Sequence, residues 1–232
     1  MKDDTRTTLV LVPTAFERDL LEREGPWFPP ATVAALCGFG PVVAAARTTL
    51  LLARLRPARV LLVGIAGGFA AHPIPVGGAC EFESVVLEGV GVGQGAAHVP
   101  SSRLAFSSGR SEASAGGLAE RIGEHLSWSA ASGPGRQLLT VCAASGSAGE
   151  AADRGSRFPS AAAEDMEGFA VALACALQGV ALCIVRGVSN RVGERDRGAW
   201  RSEDALAAAR ALARAKLASG EAWRVPRAET IT

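Results

Sequence analysis

The sequence predicts an α/β fold of three layers, in which helices cover both faces of a mixed central sheet. Short apolar runs of strand length alternate with segments of helix length, an order typical of α/β proteins. The strand-like runs are almost wholly apolar, as expected for strands buried on both faces. Of the 232 residues, 48% are hydrophobic and 20% are charged, a balance that favours a folded chain over a disordered one. We expect a single domain over residues 1–232.

The first half of the chain begins with alternating strands and helices. The predicted elements are, in chain order, a strand at 8–13, a helix at 15–24, a strand ending in a glycine turn at 31–40, a helix at 41–55 and a strand at 58–63. Pro41 opens the second helix, because proline is tolerated at the first helical position. The segment GIAGGF follows the third strand directly and predicts a glycine turn.

The second half continues the alternation with longer loops. The predicted elements are a strand at 79–87, a long loop at 89–117, a helix at 117–126, a strand at 137–144, a small-residue loop at 145–155, a helix opening within AEDMEGFAVA (163–172), a strand at 180–185, a polar loop at 186–200 and a helix at 202–220. Gln178 and Gly179 divide the uncharged run 168–185 into a helix and a strand. Ser202 is a suitable N-cap and Gly220 a suitable stop for the last helix.

Composition excludes several classes of function. A formal net charge of +1 gives no long-range attraction to nucleic acid or to an anionic membrane. The N-terminus carries two acidic residues and only a short apolar run, unlike a signal peptide. Five cysteines stand singly, which predicts reduced, buried thiols in a cytoplasmic protein. Three histidines far apart in sequence make a metal site improbable, and we expect no cofactor.

Three carboxylates crowd the start of the helix at 163–172. Acidic side chains in a first helical turn interact favourably with its N–H groups, by roughly 0.3–1 kcal/mol each, which explains Glu164 and Asp165. Glu167 lies inside the helical pattern, so we expect it at a rim or in a pocket. Glu17 follows the first strand, and polar or glycine-rich segments follow three others. Ligands of α/β sheets bind beyond the carboxyl ends of strands, so these segments predict a site at one edge.

Motifs for common cofactors are absent from the sequence. GIAGG is not a G-x-G-x-x-G fingerprint, and Pro73 and Pro75 follow where a helix would begin. A turn in which backbone approaches a ligand or a neighbouring strand is the better interpretation. Neither a phosphate-binding G-x-x-x-x-G-K-[ST] loop nor a G-x-S-x-G nucleophile elbow occurs. The remaining candidates are Glu17, Glu167 and the loop that contains Asn190.

Four segments resemble the nucleoside phosphorylase and nucleosidase superfamily, in its order and spacing and over nearly the whole chain. They are LVPTAFERDLL, CGFGPVVAAARTTLLLARLRPARVLLVGIAGGF, AEDMEGFAVA and VRGVSN. The extension RGVSNRVGERDRGAW is similar, more specifically, to the futalosine hydrolase family. The resemblance implies a nucleoside phosphorylase-like fold, a small-molecule nucleoside substrate and a homodimer or larger homo-oligomer.

The resemblance also implies roles for individual residues. Glu17 matches the carboxylate that activates the attacking water, and Glu167 matches the one that binds the ribose hydroxyls. Met166 matches the residue beneath the sugar, and Ser145 falls near the position whose backbone meets the base. The implied substrate-binding backbone also includes the glycine segment Ile65, Ala66 and Gly67. The aromatic residue that stacks on the purine aligns with Ala144, a departure that leaves Phe106 and Phe169 as candidates by residue type only.

Asn190 stands where adenine-specific members have an aspartate. An asparagine amide can donate to N7 or O6 of a purine while accepting from the ring, which suits hypoxanthine better than adenine. The expected function is therefore hydrolysis of futalosine to release hypoxanthine, in the futalosine route to menaquinone. The alternatives are an adenine-releasing nucleosidase acting on methylthioadenosine, S-adenosylhomocysteine or aminodeoxyfutalosine, a nucleoside-binding protein without catalysis, and a phosphorylase.

Arginine positions bear on two of these choices. Phosphorylases of the superfamily hold phosphate with an arginine just before the glycine segment, whereas here the strand carries Val63 and the nearest preceding arginine is Arg59. This favours water as the nucleophile. Arg191, Arg195 or Arg197 can pair with the carboxylate of futalosine, since a guanidinium suits bidentate recognition. The alternative is a solvated basic loop, balanced by its own acidic residues, Glu194 and Asp196.

Overall fold

Helices lie on both faces of a mixed sheet, which confirms the predicted fold class. The computed structural model describes residues 7–72, 74–100, 103–104, 124–128 and 136–228. The strands are β1 (Thr8–Val12), β2 (Thr32–Leu36), β3 (Arg59–Gly68), β4 (Ala79–Phe82), β5 (Ser84–Leu87), β6 (Gly91–Val92), β7 (Val99–Pro100), β8 (His125–Ser127), β9 (Gln137–Thr140), β10 (Ala161–Asp165), β11 (Ala181–Arg191) and β12 (Arg227–Ala228). The helices are α1 (Ala15–Glu22), α2 (Pro41–Leu55), α3 (Ala148–Arg157), α4 (Gly168–Gln178) and α5 (Ser202–Ala218).

The long strand β3 organises the main sheet. It runs parallel to β1 on one side and to β11 on the other, and its last residues pair antiparallel with β10. The sheet continues through β9, β5, β8 and β12 on one side, through β2 at the opposite edge, and through β4 beside β11. Both parallel and antiparallel pairs occur, so the sheet is mixed.

Alternate residues of the central strands face the two helical layers. On β1, Leu9 and Leu11 belong to the apolar cluster that includes buried residues of α2 and α4. Val10 and Val12 belong to the cluster that includes buried residues of α1 and α5. Burying one such side chain stabilises the fold by roughly 1.5–3 kcal/mol. Burial on both faces explains why β1 contains no charged residue.

The predicted glycine turn at GIAGGF is a strand instead. Residues 64–68 continue β3, with Gly67 paired to Glu164 of β10 on one side and to Asn190 of β11 on the other. The glycines permit close approach of side chains: a Cβ added to Gly68 would lie 2.8 Å from Val188. Backbone pairing with two strands distant in sequence therefore overrides the local turn signal.

Other element predictions are also wrong in part: the polar loop predicted at 186–200 begins with the last six residues of β11, and the long loop predicted at 89–117 contains β6 and β7. The small-residue loop predicted at 145–155 contains most of α3, whose N-cap Ser147 accepts a hydrogen bond from the backbone N–H of Glu150. The strand predicted at 79–87 is two strands, because β4 pairs with β11 whereas β5 pairs with β8 and β9. The end of the helix predicted at 117–126 lies in β8, while residues 117–123 lie outside the described residues.

Candidate active site

The predicted catalytic residues converge where β1, β3, β10 and β11 end or pass one another. Glu17 and Glu167 are each 4% exposed, and Asn190 is 8% exposed. Arg186, on β11, is fully buried among them. Burial of this many charged groups is costly unless they are paired, so their hydrogen bonds decide what the site can do.

Glu17 is held by the start of α1. It occupies the third helical position after the N-cap Thr14, and the two form a capping box. Its Oε2 accepts hydrogen bonds from the backbone N–H of Thr14 at 3.0 Å and from its hydroxyl at 2.6 Å. Its Oε1 accepts from the backbone N–H of Ile65 at 3.0 Å. The helix terminus thus fixes the carboxylate against the glycine-rich half of β3.

Gly64 leaves room for Glu17 and Arg186 to meet. A Cβ added at Gly64 would lie 2.3 Å from Nη1 of Arg186 and 2.6 Å from Oε1 of Glu17. Both atoms therefore point into the same space above β3. Nη1 of Arg186 is buried and has no hydrogen-bond partner among the described residues. A buried guanidinium N–H without a protein partner indicates a place for a water molecule or a ligand.

The other donors of Arg186 hold two carboxylates. Its Nη2 donates to Asp165 at 2.5 Å and to Oε2 of Glu167 at 3.2 Å, and its Nε donates to Asp165 at 3.1 Å. Oε1 of Glu167 accepts the backbone N–H of Gly40, at the start of α2, at 3.0 Å. Glu167 is therefore oriented by one arginine and one helix N-terminus.

Burial and charge act against each other in this cluster. The pKa of Glu167 is raised to about 7: burial raises it most, the negative charges of Asp165 and Glu17 add to this effect, and the positive charge of Arg186 opposes it. Burial alone would lower the pKa of Arg186, but the carboxylates of Asp165, Glu167 and Glu17 outweigh that effect and raise it. Arg186 is therefore always cationic, whereas Glu167 changes charge near neutral pH.

The acidic triplet before α4 is not a first helical turn. Glu164 and Asp165 end β10, and α4 begins at Gly168. For Asp165 the predicted contact with the helix end is confirmed, because it accepts the backbone N–H of Gly168 at 2.8 Å. For Glu164 it is wrong: this side chain accepts the N–H and the hydroxyl of Ser145, each at 2.7 Å. Strand residues alternate between faces, so neighbours in sequence serve opposite sides of the sheet.

Asn190 lies near the end of β11, where the pairing with β3 shifts register beside Gly67. Its Oδ1 accepts the hydroxyl of Ser189 at 2.7 Å, and its Nδ2 donates to the carbonyl of Arg191 at 2.8 Å. The hydroxyl of Ser189 also donates to the carbonyl of Ala66 at 3.4 Å. The amide is therefore tied to its own loop and to the glycine-rich half of β3.

The remaining predicted substrate contacts lie around this centre. Met166 is half-buried and packs on the apolar cluster that contains Val141 and Leu139. Ser145 is buried, and its N–H is already engaged by Glu164, while the preceding residues 142–144 are exposed. Exposure of Cys142 contradicts the prediction that every cysteine is buried. Phe169 is 5% exposed, and Phe106 lies outside the described residues.

A cavity of about 1320 Å³ adjoins the segment that follows Glu167. It lies between α2, α3, α4 and the segment 87–98. Its lining includes Pro41, which follows the Glu167 contact Gly40, and Phe169, which is two residues after Glu167. Glu17 and Glu167 are not among its lining residues, so the cavity adjoins the candidate site without containing it.

The arginines of the polar loop are spread over its outside. Nη1 of Arg191 donates to the carbonyl of Ile74 at 3.3 Å, and the guanidinium of Arg195 lies 5.6 Å from the ring centroid of Trp200. Arg197 is exposed in the short 3-10 helix Arg197–Ala199. Arg59 lies at the beginning of β3, where it donates to the hydroxyl of Thr8 and stacks on Trp223. It is thus at the opposite end of the strand from the site.

Sequence reasoning assigned no role to Arg186, although its motif R-x-x-S-N was part of the resemblance. The available signal was a single arginine inside the apolar strand VALCIVRGV, since arginine is almost never fully buried unless it is paired. Within the described ranges, no group of three or more His, Cys, Asp or Glu side chains is placed to hold a metal ion. In that same part of the chain, no helix is both long and apolar enough to cross a membrane.

Comparisons with known proteins identify the family. A family model described as the phosphorylase superfamily matches residues 129–219. The futalosine hydrolase of Streptomyces coelicolor is 36% identical over 179 residues, which make up 74% of this chain and 72% of that protein. The futalosine hydrolase of Thermus thermophilus is 33% identical over 193 residues, or 82% of this chain and 83% of that protein.

A solved structure supports the fold. The 5'-methylthioadenosine/S-adenosylhomocysteine nucleosidase of Neisseria meningitidis, solved in complex with methylthio-immucillin-A, aligns with a TM-score of 0.67. The alignment covers 90% of this chain and 97% of that chain at 20% identity. At this identity the likeness establishes a shared nucleosidase-type fold.

Proposed function

The chain belongs to the futalosine hydrolase family of the phosphorylase superfamily, and we propose that it hydrolyses the N-glycosidic bond of futalosine and releases hypoxanthine. It is a purine nucleosidase, and thus an N-glycosyl hydrolase. The observation that carries the proposal is the meeting of Glu17 and Arg186 above Gly64, beside Glu167. This arrangement offers one place for a nucleophilic water and one for a developing positive charge.

Glu17 is the base that activates the water. Its Oε1 and Nη1 of Arg186 both border the space above Gly64. A water molecule there can donate to the carboxylate and accept from the guanidinium, which orients one of its lone pairs. A general base that is held within hydrogen-bond reach contributes about 10²–10⁴-fold to a rate. The capping box with Thr14 keeps the carboxylate in this position.

Glu167 stabilises the sugar. Cleavage of an N-glycosidic bond passes through an oxocarbenium-like state, as in glycoside hydrolysis. An ionised Glu167 accepts hydrogen bonds from the ribose hydroxyls, and its negative charge stabilises the positive charge that develops on the ring. Because the residue is buried, this attraction is stronger than it would be in water. Met166, directly before it, packs beneath the sugar.

Asn190 recognises the leaving base. Its amide donates to O6 or N7 of hypoxanthine once it exchanges its contact with the carbonyl of Arg191 for the purine. A protonated aspartate at this position would donate to N7 and suit adenine, whereas the amide favours a 6-oxopurine. This preference supports hypoxanthine as the product.

Water, not phosphate, is the nucleophile in this proposal. The nearest arginine that precedes the glycine-rich half of β3 is Arg59, which is engaged by Thr8 and Trp223 at the far end of the strand. Arg186 is engaged by Asp165 and Glu167. Arg59 is therefore remote from the site, and the carboxylates of Asp165 and Glu167 beside Arg186 would repel a phosphate dianion. The reaction would serve menaquinone synthesis by the futalosine route, in the cytoplasm.

The protein also acts as a homodimer or larger homo-oligomer in this proposal. Helix α2 exposes apolar side chains on the side away from the sheet, among them Val42 at 80% and Leu50 at 63%. The same helix lines the cavity beside the active site. An exposed apolar face of this kind is typical of a protein interface, and a second copy covering it would also close the cavity.

The test is a chromatographic assay of the purified protein with futalosine, aminodeoxyfutalosine, methylthioadenosine and inosine, each with and without phosphate. We expect release of hypoxanthine from futalosine that is independent of phosphate and faster than from inosine. Release of adenine from the amino substrates instead would overturn the role given to Asn190. Dependence on phosphate would overturn hydrolysis, and release from none of the four would overturn the proposed substrate class.

A further inference from the structure

An ion-pair network outside the catalytic centre binds the loop that follows β9. The loop comprises residues 142–147, and its first three residues are exposed beside the active site. The network consists of Arg154 on α3, Glu164 at the end of β10, and Glu88 just after β5. Side chains of Arg154 and Glu164 are only 15% and 5% exposed, so their contacts are largely shielded from water.

Arg154 contacts the loop at two points. Its Nη2 donates to the carbonyl of Ala143 at 2.8 Å, and its Nη1 donates to the hydroxyl of Ser145 at 2.8 Å. The same Nη1 donates to Glu164 at 2.9 Å, and Nε donates to Glu88 at 2.5 Å. Glu164 in turn accepts both the N–H and the hydroxyl of Ser145. The rigid guanidinium fork therefore ties the loop to two strands at once.

This loop touches the loop of Asn190. Gly193 has a φ of +87°, and a Cβ added there would lie 2.4 Å from the carbonyl oxygen of Ser147. The position of Ser147 therefore limits where the chain around Gly193 can lie, and Asn190 is three residues away. A displacement of either loop would alter the space between them. Glu164 is also only three residues from Glu167, so one short segment fixes both the loop and the sugar carboxylate.

We propose that Arg154 and Glu164 are positioning residues that hold the 142–147 loop against the Asn190 loop and so determine which purine the site accepts. The inference rests on the proposed function, because it requires that the purine binds between these loops. Neither side chain touches the reacting atoms. Their effect is on the discrimination between a 6-oxo and a 6-amino base, which depends on polar groups held in fixed positions.

The experiment compares Arg154→Met with Arg157→Met. Arg157 lies on the same helix and also pairs with Glu88, but its other hydrogen bonds go to Asp153 and not to the loop. The readout is the ratio of kcat/KM for futalosine to that for aminodeoxyfutalosine, which differs at the base. This ratio does not depend on the fraction of active protein, so partial unfolding cannot move it.

We expect the ratio to fall about tenfold in Arg154→Met, the size typical of losing charge-assisted hydrogen bonds, and to stay at the wild-type value in Arg157→Met. Arg154→Lys should restore part of the ratio, because an ammonium can replace one contact but not the fork. If Arg154→Met does not fold, Ser145→Ala removes the shared hydroxyl and should lower the ratio in the same direction.

An unchanged ratio in Arg154→Met, or an equal fall in Arg157→Met, would overturn the positioning role while leaving the proposed function intact. A folded wild-type protein that released no base from either nucleoside would instead overturn the proposed function, and the positioning role with it. The two failures are therefore distinguishable within one set of assays.

Discussion

At the scale of single residues, the proposed role of Glu167 conflicts with its burial. Its proposed role needs a negative charge, yet burial raises its pKa to about 7. Arg186 supplies the compensation, because its guanidinium donates to Glu167 and to Asp165 while remaining fully buried. The cost of burying the cluster is thus offset by close ion pairs. Any further positive charge nearby, including that of the reacting sugar, favours the ionised form of this carboxylate.

This balance predicts a pH dependence of activity. Protonation removes the charge of Glu167, so kcat/KM for futalosine should fall as the pH drops below about 7. In the complex, the ribose hydroxyls donate to the ionised form and lower the pKa of Glu167, so the acid limb of kcat should lie at lower pH than that of kcat/KM. A pH–rate profile with both parameters checks this. A kcat/KM that does not decline through neutral pH would contradict it.

The acid limb should not reflect unfolding. The pKa of Glu167 is raised from 4.5 in the unfolded chain to about 7 in the folded one. The folded state therefore binds this proton more tightly, and the contribution of Glu167 to stability is fully present below pH 4.5 and is lost as the pH rises through 7. Circular dichroism across the acid limb is the control, and it should show a folded protein where activity is already falling.

The placement of candidate site residues was predictable from sequence only where one motif contained them. Glu17 and Glu167 stand in recognisable segments, and the structure brings them to one edge of the sheet. The role of Arg186 depends on Asp165 and Glu167, which reach it only because β3 pairs with β10 on one side and with β11 on the other. The role of Glu164 depends likewise on Arg154. Such pairings are long-range, and no local pattern encodes them.

At the scale of elements, the glycine-rich half of β3 allows Glu17 and Arg186, both proposed to act in catalysis, to approach each other. Gly64 should not tolerate a side chain, since an added Cβ would lie within 3 Å of Arg186 and of Glu17. In Gly64→Ala the two groups must separate, and misplacement by about 1 Å can cost about a hundredfold in rate. We therefore expect a fall in kcat of that order, measured with futalosine at saturation.

Gly155→Ala is the matched control for this substitution. Gly155 lies in α3, where an added Cβ would meet its nearest neighbour, Phe69, at an ordinary 3.8 Å. Alanine in a helix is favoured over glycine by about 1 kcal/mol, so this variant should keep wild-type kcat and gain slightly in Tm. A Gly64→Ala protein with wild-type kcat would show that the close approach above β3 has no part in catalysis.

Helices and strands were predictable from sequence where burial alone determines which residue types occur. The strands β1 and β11 begin as apolar runs because both their faces are covered, and the helix α2 begins at a proline as predicted. The second half of β3 was missed, because glycines carry no apolar pattern and the strand exists only through its pairing with β10 and β11. Helix α3 was missed because its residues are small and polar, and none of them is fully buried.

At the scale of the whole molecule, the apolar face of α2 should be an interface between two copies. The wild-type protein should have a mass in solution of at least twice its 23.7 kDa, measured by light scattering. Leu50→Glu should reduce the mass toward that of a single chain, since a buried unpaired carboxylate is strongly unfavourable. The control is Ala207→Glu, at an exposed position of α5 in the other helical layer, which should leave the mass unchanged. A wild-type mass of 23.7 kDa would contradict the assembly.

The most direct test of the whole account is hypoxanthine release from futalosine in phosphate-free buffer, measured for the wild-type protein and for Glu17→Gln side by side. Glutamine can keep the capping box with Thr14 but cannot take the proton of water. The account predicts hypoxanthine from the wild-type protein and a rate lower by at least about a hundredfold from the variant, with the variant still folded by circular dichroism. Equal rates from the two proteins, or no hypoxanthine from the wild-type protein, would contradict it.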